Sequence, residues 1–296
     1  MCPAAGVPAP LRGRVVTRTE AQEHTGARTL RGVRYQRLVR GVYAADLEIT
    51  HGVRIEGIRK AIGGGPVLVG PSAAWALGAQ LAGPRAPVHV NVTSGVRPQE
   101  HLVPHRGRLS PDDVVVTPYG RATTPARTCL DLARGLGSDG WSGNWRVAAV
   151  DAVLHATGLR AAELRSALAA TTDLHGLAAA RPVIRAARDG AESVRETLLR
   201  LLVVRAGFVE PELQIEVVDA DGAFIARLDL GWRDARAAAE YDGAVHREDD
   251  RYTQDLRRHN SLRVEGWRVM QVDKNGLARP GRFLRELALI APRRSA

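Results

Sequence analysis

Lysine is almost missing from this sequence. Of its 42 basic residues all but Lys60 and Lys274 are arginine, set against 32 acidic residues. The net charge of +10 favours polyanionic partners such as nucleic acid or an anionic membrane surface, with an arginine-rich codon usage as a second source of the excess. Cysteine is just as scarce. Cys2 and Cys129 are too far apart in sequence to make a disulfide framework or a zinc site by themselves, which fits a reducing cytoplasm. A long apolar run is also lacking. The uncharged stretch GPVLVGPSAAWALGAQLAG at 65–83 is interrupted by Pro66, Pro71 and several glycines, which argues against a membrane-spanning helix. The opening MCPAAGVPAPLRGR has no apolar core of signal-peptide length, so the expectation is a cytoplasmic protein with no membrane association.

What is present is ordinary globular material. The 296 residues are 45% hydrophobic and 25% charged, enough for about two domains with real cores. Three segments are expected. In the first, 1–50, a Pro- and Gly-rich tail leads to Thr17-Arg18-Thr19-Glu20, a capping box for a short helix that Gly26 ends. A second short helix is expected at about 28–33, then two strands in YQRLVRGVYAA turning at Arg40-Gly41. Helix, helix and basic hairpin suggest a winged helix-turn-helix. The second segment, 51–188, reads as mixed and mainly helical. Helices are expected in VRIEGIRKAI, after Thr124-Pro125 as far as Gly137, in WRVAAVDAVLHATG, in RAAELRSALAA and in LAAARPVIRAARDG, the last broken by Pro182; PVHVNV and Val114–Val116 read as strands.

The third segment, 189–296, changes pattern. Ser193 to Glu196 reads as a capping box before the helix TLLRLLVVRAG. Strands follow in ELQIEVVD, AFIARLDLGW and RAAAEYD, then a polar helix over 249–265 closed by Gly266, a strand WRVMQVD and a last helix RFLRELALI. This order is αβββαβ, an α/β unit of normal domain size.

Within it, AEYDGAVH sets Glu240 and Asp242 on one strand face, about 6.6 Å apart at two residues' rise. Strand alternation places Phe224, Leu228, Leu230 and Trp232 on one face of AFIARLDLGW, with Arg227 and Asp229 on the other. A hairpin over Arg233–Arg236 would bring Asp229 opposite Glu240. Carboxylates crowded in this way repel one another unless a cation compensates them, and an all-oxygen set suits Mg²⁺ or Mn²⁺.

Those residues carry a resemblance. The series RLDLGW, AEYDGAVH, Asp255-x-x-Arg258, Leu262 and Gly266-Trp267 resembles the very-short-patch-repair-like endonuclease domains of the PD-(D/E)xK restriction-endonuclease-like superfamily, over about 190–290. The resemblance implies a metal-dependent DNA endonuclease with Asp229 and Glu240 as metal ligands, Glu196 as a further acid, and Asp242 and His246 completing the site. The chain departs from the superfamily pattern at Asp242, where a lysine is expected, so that His246 or Arg258 must supply the missing cation, and at Gln271, where many relatives carry arginine. Each residue also has a plainer reading: Glu196 as a helix cap, Asp242 as a turn residue, His246 as a loop histidine, Arg258 as part of a salt-bridged helix face. RTLRGVRYQRLVRGVYAA, over about 14–46, resembles the N-terminal winged-helix domain of abortive-infection type IV antitoxins, and LVGPSAAWALG and TTPARTCLDLA resemble the segment that follows it in such proteins. The resemblance implies DNA as partner, with Arg28, Arg31, Arg34, Arg37 and Arg40 available for phosphate contacts; a solvated arginine surface is the plainer reading. Two rivals to the endonuclease stand open: a non-catalytic DNA-binding regulator or antitoxin-like protein using the nuclease-like fold as a platform, and an RNA nuclease.

Overall fold

The computed structural model describes residues 6–138, 140–243 and 249–294. The chain is α/β and divides into two compact units, Met1–Trp141 with Ala156–Arg185, and Ser142–His155 with Ala186–Ala296.

The first unit begins with β1 (Arg14–Thr17), α1 (Arg18–Gln22), β2 (Tyr35–Val39) and β3 (Val42–Ala45). The capping box at Thr17 forms as the sequence suggests: Glu20 N–H donates to the threonine hydroxyl at 3.2 Å, and Thr17 N–H to the Glu20 carboxylate at 2.6 Å. The expected second helix at 28–33 is instead a single 3₁₀ turn, Thr29–Arg31. Gly26 and Gly32 bracket it too closely for an α-helical turn to propagate. The three strands form an antiparallel sheet in the order β1-β3-β2, and all four residues of the central β3 are buried. On one face Val16, Tyr35, Tyr43 and Ala45 pack on Val7, Leu11 and Leu30. On the other, Val15, Leu38, Val42 and Ala44 share a core with the elements that follow.

These are α2 (His51–Ile62), β4 (Val67–Leu68), α3 (Gly70–Ala76), β5 (Val88–Asn91), β6 (Leu102–His105), β7 (Val114–Thr117), β8 (Gly120–Thr123) and α4 (Pro125–Ala133). Ile55 and Ile58 of α2 join Leu68, Val88, Val90, Leu102 and Ala122 of a five-stranded mixed sheet, order β6-β5-β4-β8-β7. One apolar core thus runs across the boundary expected at residue 50. The helix from Pro125 stops at Ala133, short of Gly137.

Helix α5 (Gly143–Thr157) lies mostly in the second unit; α6 (Ala161–Ala170) and α7 (Leu177–Ala186) follow. Pro182 does not break α7, which runs through it; the ring lies in the second turn, where a missing N–H costs one bond to the Ala178 carbonyl.

The second unit holds α8 (Val194–Arg205), β9 (Glu212–Val218), β10 (Phe224–Trp232), β11 (Ala237–Tyr241), α9 (Asp249–Val264), β12 (Arg268–Val272), α10 (Lys274–Ala278) and α11 (Gly281–Leu287). Apart from the short α10, this is the αβββαβ order expected. The sheet order is β12-β11-β10-β9, with β11 and β12 parallel and the other pairs antiparallel. A parallel pair needs a crossover, and α9 supplies it. Leu199, Val203, Phe283 and Leu287 cover one face of the sheet with Leu230, Trp232, Ala237 and Ala239, whereas Leu262 and Trp267 cover the other with Leu228, Ala226 and Ala238.

Strand β10 therefore departs from simple alternation. Leu228 and Leu230, expected on one face, serve opposite cores. The strand changes face at Asp229, where the neighbouring strand also distorts: Gln214 lies between the pairs Ile215↔Leu228 and Leu213↔Leu230 and has φ 51°.

Among the described residues no helix is long and apolar enough to cross a membrane.

Candidate active site

Strands β10 and β11 pair through Trp232↔Ala237, Gly231↔Ala238 and Leu230↔Ala239. Gly231 is required there, because a Cβ would come 2.7 Å from Ile215 Cδ1. Carried one step further, the same register sets Asp229 opposite Glu240, as the hairpin over Arg233–Arg236 implies. The backbone ladder ends at this step. Tyr241 N–H donates to Asp229 Oδ2 at 3.0 Å, so a carboxylate takes the place of a strand carbonyl.

Three acids gather around this point. Glu196, from the first turn of α8, and Glu240 both push the Asp229 carboxyl upward electrostatically. Burial is the larger cause, and the Tyr241 N–H and the Arg258 guanidinium pull in the other direction; the balance holds Asp229 at about 6, against an ordinary 3.8. Among the described residues Asp229 Oδ1 has no hydrogen-bond partner.

The other two carboxylates are more committed. Ser193 caps α8 by accepting the Glu196 N–H at 3.2 Å, but the return bond differs from a standard capping box: Glu196 Oε2 accepts Glu192 N–H at 2.9 Å. The same oxygen accepts Gln214 Nε2 at 2.9 Å. Glu196 is thus a helix cap and a member of the acidic group at once. Gln214 was missed in the sequence, where nothing marks a glutamine with a left-handed backbone. Such a conformation costs on the order of 1 kcal/mol or more for a non-glycine residue.

Glu240 is buried and paired with Gln271 across the parallel ladder. Its carboxylate is held from both sides of one guanidinium, Arg258 Nη1 donating to Oε2 at 3.2 Å and Nη2 donating to Oε1. Arg258 accordingly sits at the acidic site as a counter-ion. Asp242 is half-buried, its N–H donating to the Val272 carbonyl at 2.9 Å. With Gln271, Asp273, Arg279 and Arg282 it lines a cleft of about 440 Å³. The arginines of this cleft, on either side of Pro280-Gly281, were not singled out in the sequence. Tyr241 lies under the Arg195 guanidinium, 5.9 Å from the ring centroid, and the same guanidinium stands 6.0 Å from the Trp145 ring. His246 falls outside the described residues.

The residues whose oxygens could hold a divalent ion here are Asp229 and Glu240. Asp229 offers an oxygen uncommitted among the described residues, in an environment that disfavours its negative charge, and one or two carboxylates with water and substrate phosphate are what Mg²⁺ takes. Glu240 fits the set once Arg258 releases it. Among the described residues no group of three or more His, Cys, Asp or Glu is arranged to hold a metal.

The arginines of the N-terminal segment belong to the first unit. Arg28, Arg34, Arg37 and Arg40 are exposed, and among the described residues none pairs with a carboxylate. The Arg31 side chain falls outside the description. Arg40 is held through its backbone, the N–H donating to Gln99 Oε1 at 3.1 Å.

No family model matches the chain. It is similar to two uncharacterized proteins of Mycobacterium tuberculosis, MT2308 of strain CDC 1551 / Oshkosh and Rv2248 of strain ATCC 25618 / H37Rv, at 31% identity over 169 residues in each case. The match covers 56% of this chain and 60% of each relative. Among solved structures, the Rv2827c protein of the same organism overlaps 69% of this chain and 83% of its own at 13% identity, with a TM-score of 0.35.

Proposed function

We propose that the chain is a divalent-metal-dependent endonuclease acting on DNA, with the second unit as the catalytic part and the arginine-bearing hairpin of the first as a DNA contact. The observation that carries this reading is the placement of Asp229 opposite Glu240 at the end of the β10–β11 ladder, with Glu196 near enough to raise the Asp229 proton affinity. Acids concentrated where they disfavour one another mark functional sites more often than structural ones.

Asp229 and Glu240 would hold Mg²⁺ or Mn²⁺. When bound, the ion supplies Lewis acidity toward a phosphoryl oxygen and makes water a better nucleophile at neutral pH. Asp229 is kept in place by the Tyr241 N–H. Glu196 fixes the helix end behind it while Gln214 holds the Glu196 carboxylate. Asp242, opening on the neighbouring cleft, or His246 would accept the water's proton. Arg279 offers charge to a strand entering that cleft, whereas Arg282 is paired there with Glu286.

Plasmid nicking by the purified full chain with Mg²⁺, set against Asp229→Asn, tests the reading. Loss of at least the roughly 100-fold that changes to a ligand's supporting partners can cause is expected in the variant. Equal activity in the two proteins excludes this site.

A second reading has its own observation. The two-pronged Arg258–Glu240 pair already compensates one of the two metal-binding carboxylates, as in a fold retained without cleavage. On that reading the protein is a DNA-binding regulator, binds duplex in a salt-sensitive way, and neither cuts with any divalent ion nor loses affinity when Glu240 is changed.

A further inference from the structure

A cleft of about 810 Å³ opens in the first unit, away from any residue assigned a role above. Its walls come from three connections: the turn after α2, the loop after β5, and the loop between β6 and β7. Two of its lining side chains are guanidiniums, Arg108 and Arg121, and among the described residues none is a carboxylate. Among the described residues neither arginine forms an ion pair.

The backbone adds to this charge. Gly63, Gly64 and Gly65 follow one another at φ 65°, 62° and 64°, a run of positive φ that glycine adopts without steric cost. Gly63 N–H closes α2 by donating to the Arg59 carbonyl at 3.2 Å. The N–H groups of Gly64 and Gly65 have no acceptor among the described residues, nor do those of Ser94 and Gly95 across the cleft. Successive unpaired N–H groups in a turn form a concavity suited to anions.

The walls are also braced. Asn91 clamps the far loop by a reciprocal pair, Gly107 N–H donating to Oδ1 at 2.9 Å and Nδ2 donating to the Gly107 carbonyl at 3.1 Å. Arg108 follows this clamp directly. Arg121 Nη1 donates to the Gly65 carbonyl at 3.4 Å, which turns its guanidinium toward the glycine run. The volume is several times that of a phosphate group and in the range of small-ligand pockets. Ile62, Val67, Val96 and Leu109 supply apolar wall beside the polar end.

We propose that this cleft binds a nucleotide phosphate ester, with Arg108, Arg121 and the Gly64–Gly65 amides on the phosphate and the apolar wall against the base or sugar. The proposal does not rest on the endonuclease reading, since it draws on different residues in a different unit.

Equilibrium binding to the full chain, in chelator so that no strand is cut, tests it with two probes: a nucleoside 5′-triphosphate and a short single-stranded oligonucleotide. The test variant is Arg108→Ala/Arg121→Ala, and the control is Arg165→Ala/Arg181→Ala, which removes the same charge from two exposed arginines of the same unit. Expected is saturable binding of a probe, weakened at least about 10-fold in the test variant and unchanged in the control. Triphosphate binding assigns the cleft to a free nucleotide; oligonucleotide binding without it assigns the cleft to a strand. Binding of neither probe, or equal weakening in both variants, overturns the proposal. Thermal melting confirms that each variant is folded before it is scored.

Discussion

Two carboxylates of the second unit, the buried Asp151 and the half-buried Asp229, are built in opposite ways. Asp151, on α5, is saturated with donors. Its Oδ1 accepts Arg188 N–H at 3.0 Å, while Oδ2 accepts the Thr197 hydroxyl at 2.9 Å and Arg200 Nη2 at 3.0 Å. Arg200 in turn donates to the Ala186 carbonyl at 2.9 Å and to Glu210 at 3.3 Å. Burial pushes Asp151 upward, and the guanidinium, the N–H and the hydroxyl all pull it back. Among the described residues Asp229 has one donor, and two of its charged neighbours are acids. A buried charge that serves the fold is surrounded by what compensates it; one left partly uncompensated implies something further to come.

That contrast is broken most directly by deleting each acid. Asp151→Ala leaves the Arg200 guanidinium, 2% exposed, without its buried carboxylate and with only the longer pair to the more exposed Glu210, and removing one member of a buried pair costs about 3–5 kcal/mol. A loss of unfolding free energy of that order is expected, read as a lower denaturation midpoint with an unchanged slope. Asp229→Asn removes a source of repulsion and leaves the midpoint equal or raised at neutral pH. Equal losses in the two variants would erase the distinction, and both acids would then be structural.

The next effect is smaller and falls on the counter-ion. Arg258→Gln strips Glu240 of its two-pronged partner; charge-assisted hydrogen bonds are worth about 1.5–3 kcal/mol, discounted here because Arg258 is 26% exposed. A loss of about 1 kcal/mol is expected. If Glu240 is a metal ligand, the same change frees it and tightens Mg²⁺ binding in calorimetry. Unchanged or absent Mg²⁺ binding in both proteins would favour the non-cutting regulator.

Which parts of this site the sequence could reveal follows from the range of the forces. Asp229 opposite Glu240 is legible because both lie in apolar strands joined by a short turn, so that a count of residues sets the register. The Asp151–Arg200 pair spans 49 residues and leaves no local pattern, which is why α5 reads as part of the middle segment although it packs in the second unit. Gln214 is invisible for another reason: its left-handed backbone is imposed by the strand beside it. In the first unit β4, β6 and β8 have two to four residues, too few for alternation to show, and β3 is buried on both faces. The core continuous across residue 50 was therefore unreadable, and an expected two-helix motif proved to have a 3₁₀ turn as its second member.

The finest test separates the two acids by pH. Asp229 titrates near 6 in the folded chain and near 3.8 when unfolded. Its raised value means that the folded state keeps a proton the unfolded state has already released. Stability from this residue is therefore fully present below about pH 4, declines as pH rises through 6, and is flat above, because there both states are ionised. Asp151 is raised as well and gives a slope of the same sign, but it is present in wild type and Asp229→Asn alike. Subtracting the variant's stability–pH curve from that of the wild type isolates Asp229: the difference should fall between about pH 4 and 6 and level off beyond. Added Mg²⁺ should restore wild-type stability above pH 6 and leave Asp229→Asn unmoved, since an ion in that position replaces the lost proton. Parallel curves at every pH, with and without the ion, would mean that Asp229 is as well compensated as Asp151.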